Sequence, residues 1–224
     1  MKQSRSRAPL FLFLGTECAL YGSFLYCDLT SRGAAGTALK YAALLLCLLF
    51  SLARARTADG KLVALCLALT ALADLFLLVL DRDYAAGIAL FCAVQLLYAL
   101  RIRRARRRPP SLLPRLLLSG GAALALLLAG RLTPVLLLVC LYFPQLLLNA
   151  LESRALPPTP QNRLFCAGLF LFLACDVCVG FHNSPDYLPF APPWVTAFSQ
   201  IAMWGFYLPS QVLIVFSVRR RSPL

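Results

Sequence analysis

Long apolar segments dominate this chain and restrict the folds open to it. Of its 224 residues, 60% are hydrophobic and only 14% are charged. A helix needs about 17–25 mostly apolar residues to cross a bilayer, and eight segments have that length. They cover residues 10–26, 37–53, 62–80, 84–100, 112–130, 133–151, 164–181 and 195–218. The sequence therefore predicts an all-α, polytopic membrane protein that is a bundle of eight transmembrane helices.

Short breaks separate these segments, and they are rich in residues that turn the chain or end a helix. Such breaks include Gly33, the run Asp81-Arg82-Asp83 and the proline pairs at 109–110, 157–158 and 192–193. Connections this short leave no room for a soluble domain. We therefore expect one transmembrane helical domain over residues 1–224.

The basic residues predict the orientation of the bundle. With the N-terminus in the cytoplasm, 18 of the 22 Lys and Arg fall on the inner side and four on the outer side. An excess of this kind marks cytoplasmic loops, so both termini are expected in the cytoplasm. The first segment has a longer apolar run than a signal peptide and no Ala-x-Ala-like site after it, which favours a retained anchor. The expected location is the plasma membrane of a bacterium.

Net charge and cysteine content suggest no further binding partner or cofactor. The formal charge of +13 is accounted for by the inner loops, so no nucleic acid is expected, and the run 101–108 would attract anionic lipid head groups. Eight of the nine cysteines lie within the predicted spans, where cysteine packs as a small apolar residue. Cys175 and Cys178 have no second pair, and His182 is the only histidine. We therefore predict neither a metal site nor a cofactor.

Two acids inside the predicted spans are the leading functional candidates. A charged side chain at membrane depth costs about 2.5–3.5 kcal/mol on insertion scales. Asp74 and Asp176 both lie in outward-running segments, roughly 8–9 Å below the outer boundary, and would meet if the third and seventh helices are neighbours. Glu17 is a third buried acid, and Lys40 is a possible counter-ion for any of the three. An acid simply paired to a neighbour remains the alternative interpretation.

Polar residues at helical spacing mark the faces expected to point into the bundle. These stripes are Thr70 and Asp74; Gly87, Phe91, Gln95 and Tyr98; Tyr142, Gln145 and Asn149; Gly168, Phe172, Asp176 and Gly180; and Gln200, Trp204, Tyr207 and Gln211. Amides and hydroxyls in such stripes either join helices by hydrogen bonds or line a pocket.

Taken in order, several of these residues resemble the motifs of the YhhN/lysoplasmalogenase family of eight-span membrane hydrolases. The resemblance covers about 40–214 and includes the number and spacing of the spans. The chain departs from the family pattern at Ala73 (family Gly), Gln95 (family His) and Cys175 (family Ser). The matching residues are Lys40, Asp74, Phe91, Tyr98, Gly168, Phe172, Asp176, Tyr207 and Gln211.

The resemblance implies hydrolysis of the vinyl ether bond of a lysoplasmalogen or related lysolipid, giving a fatty aldehyde and a glycerophospho-alcohol. Asp74 and Asp176 would then act as the catalytic acid and base, with water as the second substrate. The expected partners are the lysophospholipid substrate and membrane lipids, and no cofactor is required. The substrate-binding candidates are Lys40, Gln95, Tyr98, Tyr207 and Gln211, with Glu17, Tyr142 and Asn149 in support.

Two other functions would use the same buried acids. Acids within membrane spans also mark the proton paths of transporters, so a proton-coupled transporter or a lipid-binding membrane protein is the main alternative. An intramembrane aspartyl protease would also need two aspartates. The residues before Asp176 lack the Gly-x-Gly-Asp pattern of that class, which disfavours it.

Overall fold

The computed structural model describes residues 8–30, 33–183 and 192–219, and these ranges contain helices and no β-strand. One helix lies in each segment that the sequence predicts, so the expected all-α fold with eight helices is confirmed. A π-helical turn, Leu75–Val79, directly continues the third helix. The helices are α1 (Ala8–Leu29), α2 (Gly33–Arg54), α3 (Ala58–Asp74), α4 (Tyr84–Arg106), α5 (Leu112–Leu128), α6 (Pro134–Ser153), α7 (Pro160–His182) and α8 (Pro193–Phe216).

Six of the described helices are long and apolar enough to cross a membrane, namely α1, α2, α3 with its π-helical turn, α4, α6 and α7. These helices indicate a multi-pass membrane protein. Helix α5 is apolar but has only 17 residues, and α8, with 24 residues, does not belong to this set of six. Eight crossings therefore stay a prediction. So does the cytoplasmic side of both termini, because residues 1–7 and 220–224 lie outside the described ranges.

Local sequence explains where three helices begin. Thr57, Thr133 and Thr159 each accept a hydrogen bond from a backbone N–H in the first turn, at 2.9, 3.2 and 3.2 Å. Such N-caps satisfy donors that have no partner within the helix. Pro134 and Pro160 then occupy the first helical position, where a missing N–H costs nothing.

Two glycines allow close helix packing next to the candidate acids. A Cβ on Gly87 of α4 would lie 2.5 Å from the Leu77 side chain of the π-helical turn. A Cβ on Gly168 of α7 would lie 2.9 Å from Ile214 and 3.1 Å from the Ser210 carbonyl oxygen of α8. Because glycine has no side chain, α4 can pack closely against the end of α3, and α7 can pack closely against α8.

The helices enclose an interior bounded by α3, α4, α6, α7 and α8. Helix α8 packs against α7, α2 and α3, and α6 packs against both α4 and α7. Helix α1 lies mainly against α2, and α5 lies against α6. The leucines of α5 are largely exposed, as expected for a surface in contact with lipid. The candidate site lies in the enclosed interior.

The arginine run at the end of α4 differs from its prediction. The sequence places the run in a loop after residue 100, whereas α4 continues to Arg106 and ends at Arg107, whose φ is +56°. The difference arises because Arg101 points inward. It makes two 2.8 Å hydrogen bonds to Asp59 and two 2.7 Å bonds to Ser217, which extend the helix beyond the apolar segment.

Candidate active site

Asp74 lies at the point where α3 changes from an α-helix to a π-helical turn. Its carboxyl is buried, with 6% of the residue exposed, and Oδ2 accepts a hydrogen bond of 2.5 Å from the Tyr207 hydroxyl of α8. The backbone widens immediately after it, where the Leu80 N–H bonds to the Leu75 carbonyl oxygen at 2.8 Å. Turns of this type are frequent at functional sites.

Asp176 approaches the same interior from α7. It is partly exposed, and it lies close enough to Tyr142 of α6 to interact with it electrostatically. The carboxyls of Asp74 and Asp176 are close enough to interact electrostatically, and both act on the buried Cys175 thiol. Two acids that are 102 positions apart in the chain therefore share one environment. Each of them has a tyrosine as its neighbour.

Aromatic rings hold the two tyrosines in place. Phe91 lies between Tyr142 and Phe172, with ring centroids 5.8 Å from each. Phe172 lies 5.6 Å from Tyr207, which in turn meets Trp204 edge-on at 5.5 Å. Offset and edge-to-face pairs of this kind fix ring orientation. Packing thus holds the Tyr207 ring in the orientation that directs its hydroxyl at Asp74.

Lys40 lies near this site but is paired with a different acid. Its Nζ is 2.8 Å from Asp28 Oδ2, and it lies 4.7 Å from the centre of the Trp204 ring. The sequence offered Lys40 as a counter-ion for Glu17, Asp74 or Asp176. In the described residues its ion pair is with Asp28, so Trp204 separates the Lys40 cation from Tyr207.

Glu17 lies apart from the two aspartates. It is buried between α1 and α2, where its Oε1 accepts a hydrogen bond of 3.3 Å from the Cys47 thiol. Its hydrogen-bond donor is thus a residue of α2, and this bond joins the two helices.

Gln95 and Asn149 belong to a buried network that extends away from the carboxyls. Asn149 Nδ2 donates to the carbonyl oxygen and to Oε1 of Gln95, at 2.8 and 3.0 Å. Arg115 of α5 donates to Asn149 Oδ1 at 3.0 Å and to Gln145 Oε1 at 2.6 Å. Arg115 also lies 3.1 Å from Glu152. These bonds fix the orientation of each amide in the network.

Tyr98 and Gln211 are fully buried. They lie nearer than the two carboxyls to the end of the bundle that contains Arg101. The Tyr98 ring packs edge-on against Phe165 at 5.6 Å. Gln211 Nε2 donates to Ser210 Oγ at 3.1 Å. Within the described residues, neither side chain is hydrogen-bonded to Asp74 or Asp176, whereas Tyr207 donates to Asp74.

A groove of about 600 Å³ opens between α2 and the π-helical turn. Tyr41 forms part of its wall, donates a hydrogen bond of 3.2 Å to the Ala71 carbonyl oxygen, and lies close enough to Asp74 to interact with it. Sequence reasoning missed this groove, since no polar stripe marks it. The groove lining consists of Ala34, Thr37, Ala38, Tyr41, Ala42, Leu45, Leu78 and Val79.

Comparison with protein families identifies the chain. The model of the YhhN family matches residues 36–218, which is most of the sequence. The chain belongs to the YhhN family. Comparisons with curated proteins and with solved structures gave no match. The family match confirms the resemblance drawn from the motifs, and it contains every candidate site residue except Glu17.

Proposed function

We propose that this YhhN-family protein hydrolyses the vinyl ether bond of lysoplasmalogens or a closely related lysolipid, with Asp74 and Asp176 as acid and base. One observation supports the proposal: two acids from distant helices lie close enough to interact electrostatically, and one of them, Asp74, accepts a buried hydrogen bond from the Tyr207 hydroxyl. Burial and mutual repulsion favour one proton shared between such carboxyls, so that one acts as an acid while the other stays ionised.

The reaction needs one proton donor, one base and one water. The protonated carboxyl gives its proton to the vinyl carbon that is not bonded to oxygen, and the positive charge develops on the carbon that is. The ionised carboxyl stabilises this oxocarbenium ion and then accepts a proton from the attacking water. The resulting hemiacetal breaks its bond to the glycerol oxygen, which takes up a proton. The products are a fatty aldehyde and a glycerophospho-alcohol.

Tyr207 and Tyr142 would keep the carboxyls in place during these steps. The 2.5 Å bond from Tyr207 supports an ionised Asp74, because hydrogen bonds to a charged acceptor are the stronger ones. Tyr142 lies close enough to Asp176 to interact with it and would position the second carboxyl. Gln95, Tyr98 and Gln211 would contribute polar groups to the deeper part of the pocket.

The groove beside Tyr41 offers a path for the hydrocarbon chain of the substrate. It lies on the surface of α2 and the π-helical turn, and small or apolar side chains line most of it. Its volume of about 600 Å³ falls within the usual range for ligand sites, about 300–1,000 Å³. A chain in this groove would place the vinyl ether near Asp74, with Lys40 towards the phosphate.

The test is aldehyde release from choline and ethanolamine lysoplasmalogens by the purified protein. Asp74→Asn and Asp176→Asn should each abolish release while the protein stays folded. Asp81→Asn is the matched control, because Asp81 is exposed in the connection before α4. No release by the folded wild type would contradict the proposal, and proton-coupled transport by the same acids would then be examined.

A further inference from the structure

Four fully buried polar atoms have no hydrogen-bond partner within the described chain, and they lie between the carboxyl pair and the end of the bundle that contains Arg101. They are Thr70 Oγ1, Gln95 Nε2, Tyr98 Oη and Gln211 Oε1, and none of the four residues is exposed. Buried polar atoms in folded proteins are nearly always paired, and an unpaired one is destabilising. These four atoms are therefore candidates to bind a small polar molecule.

Helix register places Thr70 and Gln211 at similar depths. Thr70 precedes Asp74 by one turn, and Gln211 follows Tyr207 by one turn. Because Asp74 and Tyr207 are hydrogen-bonded and α3 packs against α8, Thr70 and Gln211 lie on the same side of that bond. This holds because α3 and α8 run in opposite directions: short connections make consecutive helices alternate in direction, so an odd-numbered and an even-numbered helix are antiparallel.

A second, independent contact shows that Gln95 lies at about the same depth in the bundle as Gln211. Arg101 of α4 donates to Ser217 at the end of α8. Gln95 and Gln211 each lie six positions before that contact, in helices that run in the same direction. Tyr98 lies between Gln95 and Arg101 on the same face of α4, so the set extends from the carboxyls towards the Arg101 end.

The orientation of the Gln211 amide follows from its neighbours. The Ser210 hydroxyl donates to the Tyr207 carbonyl oxygen at 2.7 Å, so Ser210 Oγ can only accept the hydrogen bond that it shares with Gln211. Gln211 must therefore use its nitrogen there. Its oxygen is left as a free acceptor.

The Gln95 amide is fixed in the opposite sense. Arg115 can only donate, so Asn149 presents its oxygen to Arg115 and its nitrogen to Gln95. Gln95 must accept that bond with Oε1. Its NH₂ group is left as a free donor at the level of Gln211.

We propose that Thr70, Gln95, Tyr98 and Gln211 form a water-binding column, which supplies the carboxyl pair with the water consumed in hydrolysis. The set offers one fixed donor, one fixed acceptor and two hydroxyls that do either, which matches the two donors and two acceptors of water. None of the four side chains is charged, which disfavours an ion. The use of the water rests on the proposed function, whereas the binding of water does not.

The binding of water is tested by X-ray footprinting of the wild-type protein. Radiolysis of bound water releases hydroxyl radicals that modify adjacent side chains. Tyr98 should be modified several-fold faster than Phe13, which is equally enclosed but packs against Phe50 and Phe216. Modification of Tyr98 no faster than that of Phe13 would overturn the proposal. Fast modification in a protein that hydrolyses no vinyl ether supports the column and defeats only the proposed function.

The delivery of water is tested by Thr70→Val, which replaces the hydroxyl with a methyl group of similar shape. The variant should lower kcat about tenfold with KM for the lysolipid unchanged, and Thr70→Ser should restore kcat. Thr70→Val should also slow the modification of Tyr98. Ser51→Ala is the control, since it removes another buried, unpaired hydroxyl, on α2. Wild-type kcat in Thr70→Val, or a raised KM alone, would contradict the role in water supply.

Discussion

Removal of the Tyr207 hydroxyl gives the sharpest prediction about the carboxyl pair. Tyr207→Phe deletes one oxygen and keeps the ring contacts with Phe172 and Trp204, at 5.6 and 5.5 Å. The lost bond to Asp74 is 2.5 Å long and buried. A hydrogen bond to a charged group contributes about 1.5–3 kcal/mol, which corresponds to a fall of about 10- to 150-fold in rate.

The assay is aldehyde release per folded protein, with lysoplasmalogen at saturation so that kcat is measured. Tyr21→Phe is the matched control. The Tyr21 hydroxyl of α1 makes only a 3.4 Å bond, to the Gly205 carbonyl oxygen of α8, the helix that also carries Tyr207. That variant should stay close to the wild-type rate. A folded Tyr207→Phe protein with wild-type kcat would refute the idea that this bond orients or stabilises Asp74.

Three further predictions concern packing and charge. Gly168→Ala should lower the free energy of unfolding by about 1–3 kcal/mol in a thermal melt, because the added Cβ would meet the backbone of α8. Gly180→Ala is the control and should leave the free energy of unfolding unchanged, because its Cβ would enter open space. Arg101→Met should cost about 3–5 kcal/mol in the same assay because it breaks a buried ion pair, whereas the exposed Arg103→Met should be neutral. Lys40→Gln should raise KM for the lysolipid several-fold and leave kcat unchanged, if Lys40 binds the phosphate; an unchanged KM would exclude that role.

The helices could be predicted from the sequence because their signals are local. Apolar length set the segments, and the residues that turn the chain or end a helix separated them. The π-helical turn at Leu75–Val79 could not be predicted. Its residues are uniformly apolar, and the close approach of Leu77 to Gly87 of α4 is visible only in the packed helices.

The candidate site was predictable only in part. Asp74 and Asp176 stood out because an acid in an apolar helix is rare, and their similar depth suggested that they meet. The ion pairs of Asp28 and Asp59 were missed, since both acids lie near helix ends and read as solvated. Their partners are 12 and 42 positions away, so only the packing of neighbouring helices reveals the pairs.

The most direct test of the central claim is hydrolysis in deuterated water. If one carboxyl protonates the vinyl carbon, the aldehyde released by the wild type should carry one deuterium on the carbon next to the carbonyl, measured by mass spectrometry after immediate trapping. Asp74→Asn and Asp176→Asn should release no labelled aldehyde. Aldehyde without that deuterium, or labelled aldehyde from either folded variant at the wild-type rate, would contradict acid–base catalysis by this pair.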